Sequence, residues 1–387
     1  MPPATPPLLR DLNERTVLET IRDRAPISRA EISRRVGISK PTVSVALESL
    51  LEAGLVREAE NDAEGPKYGA TFFEPVPEAA LVLGLDLGAR FLRGAVSDLS
   101  GELSARQDVE HKGADADEAL RFIVELRDTL LASAAVPAGR LDGVVVGVPG
   151  MVERATGRVQ LASNVSRLEG RDFGADLAEL LGAEVTLEND INLAALGEQS
   201  RGIARGIDDF VFLSVGTGLG AGLVLGGELH RGHHGAAGEL DYALGANHEA
   251  VDPCAKAISE LARDAATRAP DSALGPPYDG RSIFAAARAG DGTALGVVEE
   301  LARRIALHAA PIAAVADVEL VVLGGGLGAN GDLLLEPVRA LLGKWTPYPP
   351  RVEVSTLGEA AVLTGAIAVG ISSARDNVFV NRVRAGG

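Results

Sequence analysis

The feature that most constrains the fold is a repeated pattern of two apolar segments joined by a glycine turn. The first copy spans residues 82–98 with its turn at Gly88, and the second spans residues 210–225 with glycines from Gly216 onward. Each copy predicts a β-hairpin. The copies start about 130 residues apart, and alternating strand and helix patterns follow each one, which predicts two similar α/β lobes facing one another across a cleft.

The composition supports a folded chain of several domains. A length of 387 residues exceeds what one hydrophobic core usually organises, and 46% hydrophobic residues exclude a mainly disordered protein. No apolar run is long enough to span a bilayer and the start lacks a signal peptide, so we expect a cytoplasmic protein without a membrane partner. The single cysteine, Cys254, excludes an internal disulfide and a multi-thiolate metal cluster.

The first 75 residues predict a winged helix-turn-helix domain. A helix over residues 12–24 precedes a Ser28 to Glu31 capping box, and Gly37 ends that second helix. Ser39 caps a third helix after a short turn. Two short helices joined by such a turn are typical of DNA-binding domains, in which the second helix presents its first residues to the major groove. Two short strands after the third helix predict the wing.

The local charge supports this interpretation. The whole chain carries a net charge of −17, yet residues 22–40 hold six basic and two acidic side chains. Such a positive edge suits phosphate binding, although a packing module with solvated arginines would have the same composition. We expect operator DNA to be the partner of this edge. The predicted DNA contacts are Arg29, Arg35, Ser39, Lys40, Pro41, Thr42, Val43 and Ser44, with Lys67 from the wing.

An acidic residue marks the expected cleft. Asp190 lies where the strand pattern of residues 184–187 changes into a helix pattern, and the carboxyl ends of strands are where open α/β sheets bind ligands. Its carboxylate could act as a general base or accept a hydrogen bond from a sugar hydroxyl. It could equally be the cap of the helix that follows, and spacing does not separate these alternatives.

Two glycine-rich stretches are candidates for nucleotide contacts. Residues 216–222 predict an anion-binding nest, because the backbone amides of a glycine turn converge. A dinucleotide-binding turn is disfavoured, because that fingerprint requires a helix directly after the glycines and residues 223–225 are strand-like. The run around Gly325 precedes a helix predicted over residues 332–342, and it could contact a nucleotide or serve packing alone.

An ordered set of motifs resembles the ROK family of bacterial repressors and sugar kinases over nearly the whole chain. The resemblance implies an α/β fold, with a winged helix-turn-helix and a two-lobed actin-like, sugar-kinase (ribonuclease H-like) domain. We accordingly divide the chain at residues 1–77, 78–197, 198–373 and 374–387 into the DNA-binding domain, two lobes and a tail. The motifs are 84-GLDLG-88, 147-GVPGMV-152, Asn164, 188-END-190, 216-GTGLGAG-222, 235-GAAGE-239 and 358-GEA-360 with Gly365 and Ala366.

The resemblance also implies site residues. Asn164, Asn189, Asp190 and Glu239 are expected to contact a sugar, with Asp190 as the catalytic base in the family's kinases. In this chain we expect Asp190 to be a vestigial base and the nucleotide contacts to be vestigial as well. The vestigial nucleotide contacts are Asp86, Gly88, Gly216, Thr217, Gly218, Gly220 and Gly325.

Departures from the family pattern argue against phosphate transfer. The kinases' Gly-Gly-Thr turn is replaced by Gly88, Ala89 and Arg90, so we expect no ATP cofactor. Tyr242 replaces the histidine that contacts sugar and zinc, and the cysteine-rich zinc loop is missing, so we expect no metal. If Cys254 aligns with the last cysteine of that loop, Lys256 replaces a sugar-contacting glutamate and favours an anionic effector; otherwise it is a solvated helix residue.

The sequence therefore predicts a sugar-responsive transcriptional repressor of carbohydrate metabolism. We expect a homodimer or homotetramer associated with the nucleoid, with a sugar or sugar phosphate in the cleft. One alternative is an ATP-dependent sugar kinase with a DNA-binding extension, which Asp86 and Asp190 favour and Arg90 and Tyr242 disfavour. Another is a regulator that senses a protein partner through a degenerate pocket.

Overall fold

A computed structural model describes residues 6–59, 70–111, 113, 115–137, 141–162, 165–242 and 251–383. The first domain is a winged helix-turn-helix, as predicted. Its small sheet has the strand order β1-β3-β2. The elements are α1 Pro6–Arg24, β1 Ile27–Ser28, α2 Arg29–Val36, α3 Lys40–Glu52, β2 Val56–Glu58 and β3 Phe72–Pro75.

The caps of α2 differ in part from the prediction. Ser28 accepts a hydrogen bond from the Glu31 amide at 3.4 Å, and Gly37 ends the helix in the left-handed region at φ 69°. Glu31 does not complete the predicted capping box. Its carboxylate instead accepts hydrogen bonds from Arg35 at 2.9 and 3.1 Å. An arginine four residues along the same helix face is a charged partner that competes with the backbone amide.

The first lobe is built on a mixed five-stranded sheet of order β10-β7-β4-β5-β6. A short 3-10 turn, Pro77–Ala79, leads into it. The β4–β5 and β5–β6 pairs are antiparallel, and the β4–β7 and β7–β10 pairs are parallel. The elements are β4 Leu81–Leu87, β5 Phe91–Asp98, β6 Leu103–Glu110, α4 Ala116–Ser133, β7 Leu141–Val148, β8 Met151–Val152, β9 Val159–Gln160, α5 Phe173–Leu181 and β10 Val185–Asn189.

The second lobe repeats this topology, which confirms the duplication. Its sheet has the order β13-β12-β11-β14-β15, with an antiparallel hairpin followed by two parallel strands. The helix α6 Asp190–Arg201 joins the two lobes. The elements of the second lobe are β11 Phe210–Val215, β12 Leu219–Leu225, β13 Glu228–Leu229, α7 Ala255–Arg268, α8 Gly280–Arg288, α9 Gly292–Ala316, β14 Leu320–Gly324, α10 Gly325–Gly328, α11 Gly331–Trp345 and β15 Arg351–Val354.

The final helix, α12 Ala361–Val383, corrects the predicted boundaries. It returns to the first lobe and packs on β4 and β7, and it crosses α6 at backbone contact. A β-carbon on Gly365 would collide with the Leu193 carbonyl, and one on Gly197 would collide with the Ala361 carbonyl. The predicted division after residue 197 therefore falls inside α6, and residues 374–383 continue a helix instead of forming a tail.

The winged helix-turn-helix and α12 share one hydrophobic core. Buried residues of α1 and α3, including Val17, Ile21 and Leu50, belong to the same cluster as Ile371 and Phe379 of α12. Burial of such side chains stabilises a contact by about 1.5–3 kcal/mol each. The winged helix-turn-helix domain is therefore packed against the body through α12. Across the described residues, no helix combines the length and apolar content needed to cross a bilayer.

Candidate functional site

The start of α3 presents a short polar surface. Ser39 is the cap residue, and its hydroxyl accepts from the Thr42 amide at 3.3 Å and lies 2.8 Å from the Thr42 hydroxyl. Lys40 and Pro41 are exposed beside them. Val43 was wrongly placed among the DNA contacts, because its side chain is fully buried in the domain core. The capping hydrogen bonds fix the first turn of α3, where a recognition helix contacts bases.

Two arginines of α2 are held by neighbours. Arg29 donates to the Ser44 hydroxyl at 3.0 Å, which joins α2 to α3, and Arg35 is paired with Glu31. The sequence interpretation missed Val45, which is 52% exposed. Helical spacing could have found it, because position 45 lies opposite the buried face formed by Val43 and its neighbours. An exposed apolar side chain on a recognition helix suits contact with a thymine methyl group.

Several residues that the sequence predicts as site residues are either outside the described residues or exposed away from the cleft carboxylates. Lys67 and Asn164 lie outside the described residues, as does the side chain of Tyr242. Lys256 is exposed in the first turn of α7, as its solvated alternative predicts. Cys254 is buried next to it, and burial together with Asp252 raises the pKa of its thiol.

Asn189 serves as a structural cap at the end of β10. Its carbonyl oxygen accepts from the amides of Ile191 and Asn192, both at 2.9 Å, and its amide nitrogen donates to the Gly150 carbonyl at 2.9 Å. Both acceptor positions and one donor are thus used within the protein. One N–H remains for the sugar contact predicted for this residue.

Asp190 follows directly as the first residue of α6. The cap of this helix is Asn189, so the alternative that Asp190 is the cap residue is wrong. Its carboxylate accepts a hydrogen bond from the neighbouring Ile191 amide at 2.9 Å. Burial, with Asp86 and Glu239 nearby, raises the pKa of Asp190 to about 7. Such a group can accept a proton from a hydroxyl near neutral pH, or bind that hydroxyl without chemistry.

Asp86 lies at the end of β4 and faces an arginine from the neighbouring strand. Arg93, which is opposite Asp86 in the β4–β5 register, donates to it at 3.2 Å. The same guanidinium reaches Glu359 at 3.0 Å and Asp108 at 3.5 Å. Burial raises the pKa of Asp86 to about 6 although Arg93 opposes that shift. The Arg93 guanidinium therefore binds the Asp86 carboxylate, which the sequence predicts to face a nucleotide.

Glu239 completes an acidic group at the cleft. Burial and the nearby Asp241 raise its pKa. Asp86 and Glu239 each lie close enough to Asp190 to raise its pKa as well, so the carboxyl groups of two lobes converge. Carboxyl groups with raised pKa values that converge in a cleft are suited to binding polyhydroxy ligands.

The glycine turns have different roles in the two lobes. At Gly88 the amide donates to the Phe91 carbonyl at 3.0 Å and the carbonyl lies 2.9 Å from His111 Nε2, so neither group faces a ligand freely. Gly220 adjoins the Ile191 side chain, and a β-carbon there would collide with it. Gly220, which the sequence predicts to contact a nucleotide, thus packs against α6.

The turn at Gly216 is more open. Its amide donates to the Gly218 carbonyl at 3.0 Å, and a β-carbon on Gly216 would lie 3.5 Å from the Gly326 amide nitrogen. Thr217 lies between these two glycines and Gly325 follows β14, so both glycine stretches meet at one edge of the second lobe. Gly325 has φ 77°, and a β-carbon there would lie 2.5 Å from the Val215 carbonyl oxygen. This backbone geometry explains Gly325 without a ligand.

The mouth of the cleft is bridged by charged residues. Glu188, buried at the end of β10, accepts from Arg231 Nε at 2.6 Å, which joins the two lobes. Arg154 donates to the Gly232 carbonyl at 3.1 Å across the same gap. A cavity of about 450 Å³ lies beside these residues, and His230 and His233 line it. The described residues contain no group of three or more His, Cys, Asp or Glu side chains placed to hold a metal.

Comparison with known proteins places this geometry in context. Residues 82–373 match the ROK family, and residues 10–57 match a winged helix-turn-helix DNA-binding domain. A xylose repressor of Caldicellulosiruptor bescii is 28% identical over 94% of this chain and 96% of its own length. A glucokinase of Streptomyces coelicolor is 29% identical over 74% of this chain and 96% of its own.

Solved structures agree on the fold. A ROK family transcriptional regulator, a homologue of the Escherichia coli MLC protein, superposes with a TM-score of 0.80 at 21% identity, covering 97% of this chain and 99% of that one. A glucokinase of Streptomyces griseus bound to glucose and AMPPNP has a TM-score of 0.62 at 28% identity, covering 75% and 99%. The chain belongs to the ROK family.

Proposed function

We propose that this protein is a sugar-responsive transcriptional repressor of carbohydrate metabolism. The observation that carries the proposal is the hydrophobic core that α12 shares with the winged helix-turn-helix, because α12 also packs on α6, whose first residue is Asp190 in the cleft. Two relatives that match over 94% of this chain are a xylose repressor and a putative xylose repressor. A sugar bound at Asp190 and operator DNA bound at α3 would thus act on one continuous set of contacts.

The contacts between α1 and α12 support this coupling. Arg15 of α1 donates to Asp376 at 2.8 Å and lies 4.6 Å from the centre of the Phe379 ring. At the other end of α12, Gly365 touches the backbone of α6. Tightly packed helices shift in discrete steps because their interface cannot deform continuously. Lobe closure on a sugar would move α12, and α1 with it.

We infer that the DNA-binding form is a homodimer with a winged helix on each half-site. A change in the distance between the two α3 helices would then favour or disfavour the operator. The effector is a sugar or sugar phosphate, and the converging carboxyl groups of Asp86, Asp190 and Glu239 favour neutral hydroxyls in the cleft itself. For a sugar phosphate, we infer that the phosphate binds in the cavity lined by Arg154 and Arg231, because guanidinium groups form charge-assisted hydrogen bonds with phosphate.

The proposal is tested by titrating the protein with labelled DNA from upstream of its own coding region and measuring fluorescence anisotropy. We expect affinity to fall steeply as salt rises, and to fall about tenfold or more in Lys40→Ala, which removes a predicted phosphate contact. Lys344→Ala, far along α11, is the matched control and should bind normally. Equal loss in both variants, or salt-independent binding, would contradict the proposal.

A second candidate, a sugar kinase, is favoured by the glucokinase relatives and by the raised pKa of Asp190. We infer that phosphate transfer does not occur, because Arg93 holds Asp86 and Gly88 is bound by Phe91 and His111. An ADP-release assay over xylose, glucose and amino sugars tests this inference. ADP release that depends on sugar and is lost in Asp190→Asn would establish the kinase instead.

A further inference from the structure

A groove separate from the cleft lies on the face of α12 next to the β5–β6 turn. It has a volume of about 370 Å³, within the range of small-molecule sites. The last turn of α6 closes one end. Its floor is apolar and its rim is basic. The apolar lining includes Leu363, Ile367 and Ile371, and the basic side chains are Arg106, Arg201 and Arg375.

Two of the three arginines lack a carboxylate partner. Arg201 donates to the Ser100 carbonyl at 3.2 Å, and Arg375 donates to the Leu99 carbonyl at 3.0 Å. Within the described part of the chain neither forms an ion pair, whereas Arg106 is paired with Asp108 at 3.3 Å. In a chain with a net charge of −17, an uncompensated pair of guanidinium groups in one groove is a local reversal of sign.

The groove is shaped around these guanidinium groups. The Arg201 guanidinium lies against Gly101, which has φ 82°, and a β-carbon at that position would collide with it. The Nε of Arg375 is buried and has no hydrogen-bond partner among the described residues. A buried donor without an acceptor is unfavourable, and an anion bound to the same guanidinium would offset part of that cost.

We propose that this groove binds a small organic anion with an apolar body. The anionic group would accept hydrogen bonds from Arg201 and Arg375, and the apolar body would cover Leu363, Ile367 and Ile371. Charge-assisted hydrogen bonds to arginine are strong and directional, and the aliphatic floor supplies non-specific affinity. The site differs in kind from the cleft, where converging carboxyl groups repel anions.

Anilinonaphthalene sulfonate, a fluorescent anion with apolar rings, is a suitable probe for the full-length protein. We expect saturable binding to one site. The double variant Arg201→Gln, Arg375→Gln should weaken it about tenfold or more, since it removes both guanidinium groups that donate to the anion. Arg281→Gln, an exposed arginine at the start of α8, is the matched control and should bind as the wild type does.

Competition separates the contributions of charge and apolar surface. Octanoate should displace the probe at lower concentration than octanol, and xylose should not displace it. Circular dichroism establishes that the double variant is folded. The proposal is overturned if no site saturates, if Arg281→Gln weakens binding equally, or if octanol competes as well as octanoate. It is also overturned if the wild type is an oligomer that the double variant dissociates, because a second copy of the chain would then occupy the groove.

Discussion

The two lobes share one strand topology, yet their glycine hairpins meet the cleft in opposite ways. The first-lobe hairpin carries charges to the cleft, where Asp86 is held by Arg93, and its turn at Gly88 is bound by His111. The second-lobe hairpin carries glycines there, and Gly222 lets β12 lie directly on α6. Duplication explains the architecture, and the difference between the copies explains what each side of the cleft can bind.

The largest expected effect comes from removing the charge that distinguishes the first hairpin. Arg93→Met should lower the free energy of unfolding by about 3 kcal/mol or more at pH 8, because it leaves Asp86 buried without a counterion. Part of this loss should disappear as the pH falls, since the pKa of Asp86, already about 6, would rise further and the neutral acid needs no partner. Urea denaturation at pH 8 and pH 5.5 measures both effects.

Arg90→Met is the control for this experiment. Arg90 is paired with Glu110 on the same hairpin, but its side chain is 72% exposed. Exposed pairs contribute about 0–1 kcal/mol. A similar decrease in the free energy of unfolding in Arg93→Met and Arg90→Met would show that the buried Asp86 contact stabilises the protein no more than an exposed ion pair does.

An intermediate effect compares glycines in the two hairpins. A β-carbon on Gly222 would meet the Ile191 carbonyl oxygen at 2.7 Å, whereas one on Gly94 would meet only the ends of Leu126, Leu130 and Leu85 side chains at 2.9–3.0 Å. Backbone atoms shift less readily than the ends of flexible side chains, so the collision at Gly222 is harder to relieve. Gly222→Ala should therefore lower the free energy of unfolding by about 1–3 kcal/mol, and Gly94→Ala by less. Equal midpoints in urea would contradict this difference.

The smallest expected effect concerns Asp190, whose pKa is raised first by burial and then by the nearby Asp86 of the first lobe. Its pKa of about 7 in the folded state exceeds that of an unfolded chain, so the folded protein holds a proton that the unfolded protein releases. This carboxyl group therefore lowers stability progressively as the pH rises from about 4 to about 7. Because the Asp190 side chain is only half-buried, solvent screens most of this effect. Asp190→Asn should therefore be more stable than the wild type by about 1 kcal/mol at pH 8, with little difference at pH 4.5.

Asp332→Asn in the second lobe is the matched control, with the opposite sign. Arg288 holds the pKa of Asp332 below its usual value, so ionised Asp332 stabilises the folded protein. The amide variant should be slightly less stable at pH 8. Urea midpoints of both variants at the two pH values decide the matter. Stabilisation by both substitutions would mean that net charge, and not the cleft, controls the effect.

Local patterns predicted the architecture well. The hairpins at Gly88 and Gly216, the caps at Ser28 and Ser39 and the helix-turn-helix depend on neighbouring residues, so spacing determines them. The path of α12 depends on contacts with residues about 280 positions earlier in the chain, which spacing does not encode. Spacing alone therefore predicts a tail at residues 374–387, whereas residues 374–383 are helical.

The site was predicted less completely for a related reason. An asparagine at position 189 can cap α6 or contact a sugar, and its residue type does not separate the two roles. In the structure its side-chain carbonyl oxygen is used by the helix cap. The Asp86–Arg93 contact could have been found from the hairpin register, which places the two residues opposite one another. Glu359 contacts the same guanidinium, but it lies far along the chain, so no local sequence pattern predicts this contact.

The most direct test of the account is a thermodynamic cycle between the cleft and α3. The dissociation constant of the operator is measured with and without saturating xylose, and that of xylose with and without saturating operator; if xylose does not bind, the sugar that does replaces it. Linked sites require both constants to change by the same factor, and we predict a change of about fivefold or more. A sugar that binds the wild type but leaves operator affinity unchanged would contradict the coupling through α12.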